Sequence, residues 1–220
     1  MNHPMQVLNR CHGRPPYLLA ALTSALALGG CAPMVPTAAQ WNPPPLGATW
    51  DMAQKNSGSY GRDANFRVTR GESTWQGKPV ATFANSLGTT TLASYEGGRW
   101  HAVVGRDGQT LMRWEPALGW VYPLEVGKRW TTAYTLTMAS GKAFQYDLSC
   151  EIPSYEDVTV PAGTFKAFKI VCNTTIGNEE TYWNSPELGI FVKTQLRRTE
   201  KSPFGAGTQT TDMVAHTIRR

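Results

Sequence analysis

The chain has 220 residues, with 21 Lys and Arg against 16 Asp and Glu for a formal charge of +5, and only 17% of its residues are charged. That charge density is too low for a long charged coiled coil or a highly charged disordered chain, and 8 Trp with 8 Tyr point to a packed core. The length predicts one domain with a tail, and collagen and polytopic membrane architectures are excluded with the coiled coil.

The N-terminus carries Arg10 and Arg14, has no acid before Asp51, and runs into the apolar stretch YLLAALTSALAL over 17–28. A spanning helix needs about 20 apolar residues, so this shorter run between a basic flank and small residues reads as an export signal over residues 1–30. It ends in Leu28-Gly29-Gly30-Cys31, the pattern of a bacterial lipobox, which predicts lipidation of Cys31 and a mature chain that begins there. Ala32 follows where Asp would signal inner-membrane retention, so the expected location is the periplasmic face of the outer membrane, held by the lipid. With the signal's two bases gone the net charge is about +3, too little for a nucleic-acid-binding surface.

Residues 31–47 contain Pro33, Pro36, Pro43, Pro44 and Pro45 and predict an extended tether. At about 3.1 Å per residue it would hold the body some 40 to 50 Å from the lipid. Trp41 reads either as an anchor at the membrane interface or as a residue folded back onto the body.

Residues 48–220 form the expected single β domain. From about residue 60 the chain breaks into alternating runs rich in Thr, Val and aromatics, cut by Gly-containing turns. Strands are predicted near 64–75, 79–86, 89–95, 99–105, 109–115, 128–139, 142–152, 155–160, 164–176, 179–184, 189–200 and 208–218, mostly antiparallel. Within 129–138, Trp130, Tyr134, Leu136 and Met138 share one face while Arg129, Thr131, Thr135 and Thr137 share the other, so one face is buried and one wet. The fold class is all-β: a strongly curved antiparallel sheet or incomplete barrel, with a short helical or irregular N-terminal segment.

Export removes Cys11 and lipid uses Cys31, which leaves Cys150 and Cys172 to pair as a disulfide. Between them Val160-Pro161-Ala162-Gly163-Thr164 predicts a hairpin closed on Val160 and Thr164, a type I turn with a bulge at Gly163. A straight ladder from that turn would set the two cysteines diagonally, and a bulge near Pro153 would bring them together.

No zinc, Walker, GxSxG or dinucleotide motif is present, and no cofactor or metal site is predicted. His101 reads as ordinary surface. Glu156-Asp157 and Glu179-Glu180 are adjacent pairs, and neighbours on a strand point to opposite faces, which makes poor carboxylate dyads. The aromatic surplus reads either as core or as a lining for an acyl chain or sugar, with Trp130, Tyr134 and Trp183 the candidate ligand-binding residues.

Over residues 120–200, Tyr122-Pro123-Leu124 with Val126-Gly127 and Trp130, then Val160-Pro161-Ala162-Gly163-Thr164-Phe165, then Tyr182-Trp183 with Ser185-Pro186-Glu187-Leu188-Gly189, resemble a family of uncharacterised β-rich bacterial exported proteins and lipoproteins. The resemblance implies a curved sheet or incomplete barrel and no catalytic residues; residues 48–119 have no counterpart in it. The expectation is a non-enzymatic envelope lipoprotein that binds an apolar or envelope-derived ligand or a partner protein. Its alternatives are a docking protein of the envelope and a hydrolase acting on envelope polymers.

Overall fold

The structure, a computed structural model, describes residues 37–38 and 40–219. The export signal and Cys31 lie outside the described residues.

Regular structure among the described residues is entirely β: β1 (Thr37–Ala38), β2 (Thr49–Gly58), β3 (Ala64–Trp75), β4 (Lys78–Asn85), β5 (Thr89–Ser94), β6 (Trp100–Gly105), β7 (Thr110–Leu118), β8 (Leu124–Glu125), β9 (Arg129–Met138), β10 (Ala143–Val160), β11 (Gly163–Thr174), β12 (Asn178–Ser185), β13 (Ile190–Arg198) and β14 (Gly207–His216). Twelve of them form one closed antiparallel barrel, a meander from β2 to β7 and from β9 to β14. Closure comes from β14 pairing with β2, Thr208 opposite Ser57 through His216 opposite Trp50. An even number of strands is what lets the first and last of a meander meet antiparallel, and closure removes both free edges.

The sheet therefore closes completely. The segment expected to be helical or irregular is the strand β2, and without it the barrel would stay open. Its alternation begins clearly, with Trp50 and Met52 buried, then turns polar at Gln54 and Asn56. Those two amides also lie on the inward face, where Gln54 donates to Thr211 and Asn56 donates to Gln54. A half-polar interior hides the period-two signal.

Residues 37–38 and 40–47, within the stretch expected as spacer, are part of the body. Thr37 and Ala38 pair with Glu125 and Leu124, Pro44 and Ala38 are buried, and Gly47 donates to the carbonyl of Arg70. Proline removes donors but does not prevent packing, so an extended segment can lie across a barrel end.

The β10–β11 hairpin is also tighter than expected. Val160 faces Gly163, so the turn is the two residues Pro161 and Ala162, and a shift between Glu151 and Ser154 moves the ladder by one. From that turn a straight ladder would set Cys150 opposite Asn173; the extra residue at Ile152-Pro153 slides it onto Cys172, with Cα atoms 4.1 Å apart and the sulfurs bonded. The two strands predicted at 142–152 and 155–160 are thus one bulged strand.

The two faces of the wall differ. Directly opposed cross-strand pairs on the outside are Asp51–Arg67, Glu151–Arg129, Asp157–Lys166, Glu179–Arg197 and Lys193–Asp212. Ion pairs at exposed sites add little to stability, so these matter mainly as markers of the wet face. A lipid-spanning barrel shows the reverse, an apolar belt outside. Inside, residues of β9, β10 and β11, including Tyr134, Leu136, Tyr146, Leu148, Ile152, Phe168 and Ile170, pack into one cluster around the disulfide. The β7–β9 connection adds Trp120, Tyr122 and the fully buried Leu124 to it.

Candidate functional site: an aromatic cavity inside the barrel

Eight strands enclose about as much space as inward side chains can fill, and sixteen leave a channel. Twelve should leave a partial void. Filling is lopsided here: the β9–β11 side is solid, while β2–β6 and β12–β14 border a cavity of about 380 Å³. Its wall alternates as strands require, with Trp50 and Met52 from β2, Phe66 and Val68 from β3, Phe83 from β4, Tyr182 from β12 and Leu196 from β13.

An aromatic partition separates the cavity from the solid half. Trp120 packs edge-on against Tyr182 at 4.9 Å and Phe191 at 5.6 Å, Tyr182 and Phe191 lie 5.0 Å apart, and Trp100 meets Phe191 at 6.3 Å. Such contacts add about 0.5 to 1.5 kcal/mol each beyond buried area, so the partition is a stiff wall.

At one end the cavity is roofed by Trp41. Its indole Nε1 donates to the Gly189 carbonyl at 3.0 Å, and its ring stands edge-on to Phe83 at 6.2 Å. Beneath the ring lies Gly98, with φ of +62°, where an added Cβ would come within 2.7 Å of the indole. Only glycine allows both that backbone angle and that approach. Of the two sequence readings of Trp41, the described structure has the residue folded back.

Behind the partition lies Glu180, beside a void of about 20 Å³, the size of one water. Burial inside the barrel pushes its carboxyl above the usual carboxylate range; the Tyr182 hydroxyl, which donates to it at 2.6 Å, and the Arg198 charge pull the other way. The surface that Glu180 keeps is cavity wall rather than bulk solvent.

The sequence-predicted ligand residues fall in three different places. Trp130 opposes Cys150 on the inward face and touches Trp120 edge-on at 6.3 Å, one layer behind the cavity. Tyr134 opposes Tyr146 within the solid core. Trp183 occupies the face of β12 opposite to Tyr182, between Lys169 and Lys193, each 5.6 Å from its ring, and donates to Glu156 at 2.8 Å. None of the three lines the cavity. The adjacent carboxylates do point apart: Glu179 pairs with Arg197 outside while Glu180 is inside. His101 is half-buried in β6, its pKa lowered by burial and by nearby Lys78. The residues that sequence reasoning missed are Trp41, Trp50, Phe66, Phe83 and Phe191. The parity shared by Phe66 and Val68, and by Trp50 and Met52, was the available signal.

No protein-family model and no curated protein sequence matches the chain. Among solved structures it is similar to a Bacteroides fragilis protein described as exported, with a YmcC-like fold, at a TM-score of 0.48 and 15% identity over 81% of this chain and 99% of that one. It is also similar to the hypothetical lipoprotein YmcC of Escherichia coli, at 0.42 and 10% over 76% of this chain and 83% of that one. A Parabacteroides distasonis protein described as a lipoprotein matches at 0.40 and 11% over 82% of this chain and 99% of that one. At these identities the likeness is one of remote fold only.

Proposed function

We propose that this chain is a non-enzymatic lipoprotein of the cell envelope, anchored through Cys31 at the periplasmic face of the outer membrane, whose barrel holds an elongated apolar ligand. The observation that carries the reading is the cavity, about 380 Å³ within the range of small-molecule sites and lined by Trp50, Met52, Phe66, Val68 and Phe83. The lining is mainly apolar, with Asn85, Asn184, Thr194, Gln209 and Thr211 among the polar members, and its aromatic and aliphatic side offers close contacts to an apolar chain. The lipobox at 28–31 and the five residues between Cys31 and the paired Thr37 would keep the body close to a lipid source. In this reading Trp130 acts through Trp120, while Tyr134 and Trp183 hold the fold.

Dodecanol titrated into the purified body should shift the Trp emission, since Trp41, Trp50, Trp100 and Trp120 all border the cavity. Val68→Phe and Thr194→Phe place a ring inside it and should weaken binding at least about tenfold, equivalent to about 1.4 kcal/mol, with melting temperatures near that of the parent. Absence of any shift, or full affinity in both filled variants, would refute the reading.

A further inference from the structure

Beside the cavity, next to its lining rather than in it, lies a buried charge that the apolar reading does not use. Arg70 is only 3% exposed. It follows Phe66 and Val68 on the inward face of β3 and stands directly opposite Phe83 of β4, so it lies one step beyond the lining residues towards the end roofed by Trp41. Its guanidinium is 5.9 Å from the Phe83 ring centroid and 5.5 Å from that of Tyr95.

Only one edge of this guanidinium is engaged. Nη2 donates to the Tyr95 hydroxyl at 2.9 Å and lies 3.6 Å from the Glu72 carboxylate, which is 56% exposed and accepts a short hydrogen bond from the same tyrosine. Nε and Nη1 are buried and have no hydrogen-bond partner among the described residues. Arginine carries five N–H donors and keeps its charge, so three of them are left without an acceptor. Burying charged donors unpaired is costly, and the two rings and one solvated carboxylate offset only part of that cost.

We infer that Arg70 is the head-group site of the cavity, and that the ligand is an amphiphile with a single anionic head, carboxylate or phosphate, whose chain lies along Phe83, Val68 and Phe66. This rests on the proposed binding of an apolar ligand and adds its polar end. An anion at Nε and Nη1 would supply the missing acceptors through charge-assisted hydrogen bonds, the strong class of such bonds, in a site already shielded from water. Trp41 then sits over the head rather than over the chain, and the Glu72–Tyr95 pair holds Nη2 so that the free donors keep their orientation.

The test compares head groups on one chain length, with the protein as it exists. Dodecanoate, dodecyl phosphate, dodecanol, methyl dodecanoate and dodecylammonium are titrated against the Trp emission below their micellar concentrations, and the anions should bind at least about tenfold tighter than the alcohol and ester. In Arg70→Met that preference should vanish while dodecanol affinity stays within about twofold, and Arg70→Lys should keep part of it. Equal binding of acid, alcohol and ester by the parent protein overturns the head-group site and leaves the apolar reading standing. An anion preference that survives in a folded Arg70→Met overturns it as well. Binding of none of the five overturns both readings together. The head-group series on the parent protein decides the matter even if Arg70→Met does not fold.

Discussion

Glu179 and Glu180 are neighbours in β12, yet one sits in an exposed ion pair and the other is closed inside the barrel. The difference has a consequence for pH. Burial raises the Glu180 pKa above its ordinary value, so between the two values the folded barrel keeps a proton that the unfolded chain has released. Stability linked to this group is fully present below the unfolded pKa and falls as pH rises through the folded one. Glu180→Gln removes the proton exchange while leaving an oxygen for Tyr182 to donate to. Melting temperatures followed from about pH 4 to pH 8 should fall in the parent relative to the variant, and parallel curves would contradict the upward shift. Asp63 and Glu156, whose pKa values are lowered by Lys55 and by the Ser154 hydroxyl and Trp183 indole respectively, act in the opposite sense at lower pH and are common to both proteins.

Among the elements, β10 does the most to shape the interior. It is 18 residues long, its first half faces the solid core, and the bulge after Glu151 redirects its second half. Beyond the bulge Val158 and Val160 join Trp50, Met52, Val68 and Ile190 in one packed cluster, and Ala162 donates to the Met213 carbonyl where β14 is itself bulged. The disulfide pins this strand to β11 just before the turn in its course. Closing a loop with a sequence separation of 22 should stabilise the fold by about 3 kcal/mol by the chain-entropy argument. Cys150→Ala combined with Cys172→Ala should lower the denaturation free energy by about that amount, and a loss under about 1 kcal/mol would mean that the barrel constrains the hairpin without it. Because the pair is inside the core around Trp130, part of any larger loss would report the cavity left by two sulfurs.

At the scale of the whole molecule, the barrel places polar pairs outside and an apolar cavity inside, and the chain enters over one end of that cavity. Thr37 is already in a strand pair and Trp41 forms the roof, so an anchor at Cys31 would be separated from the barrel's first paired residue by only five residues. Two or three acyl chains hold far more firmly than one, at about 0.8 kcal/mol per buried methylene. Cys31→Ser should therefore move the protein from the membrane to the soluble fraction without altering its melting curve. A variant that stays membrane-bound with an unmodified N-terminus would rule out the lipid anchor.

What was legible in the sequence is what local alternation encodes. The Thr, Val and aromatic runs placed most strands within a residue or two, and the expectation of export with two cysteines left over indicated the bridge. The same reasoning failed at β2, whose inward Gln54 and Asn56 carry no apolar period, and at Trp183, whose partner Tyr182 turned out to be the inward one. It also passed over Arg70, because an arginine on a strand reads as an outward residue unless the parity of Phe66 and Val68 is carried forward to it. Sequence by itself determined the all-β class and the alternation of most strands, β2 excepted. Tertiary structure decided the closure of β14 on β2, the roof formed by Trp41, and the cavity between β2–β6 and β12–β14, because these depend on pairings between residues more than 100 positions apart, such as the bond from Trp41 to Gly189 at a separation of 148.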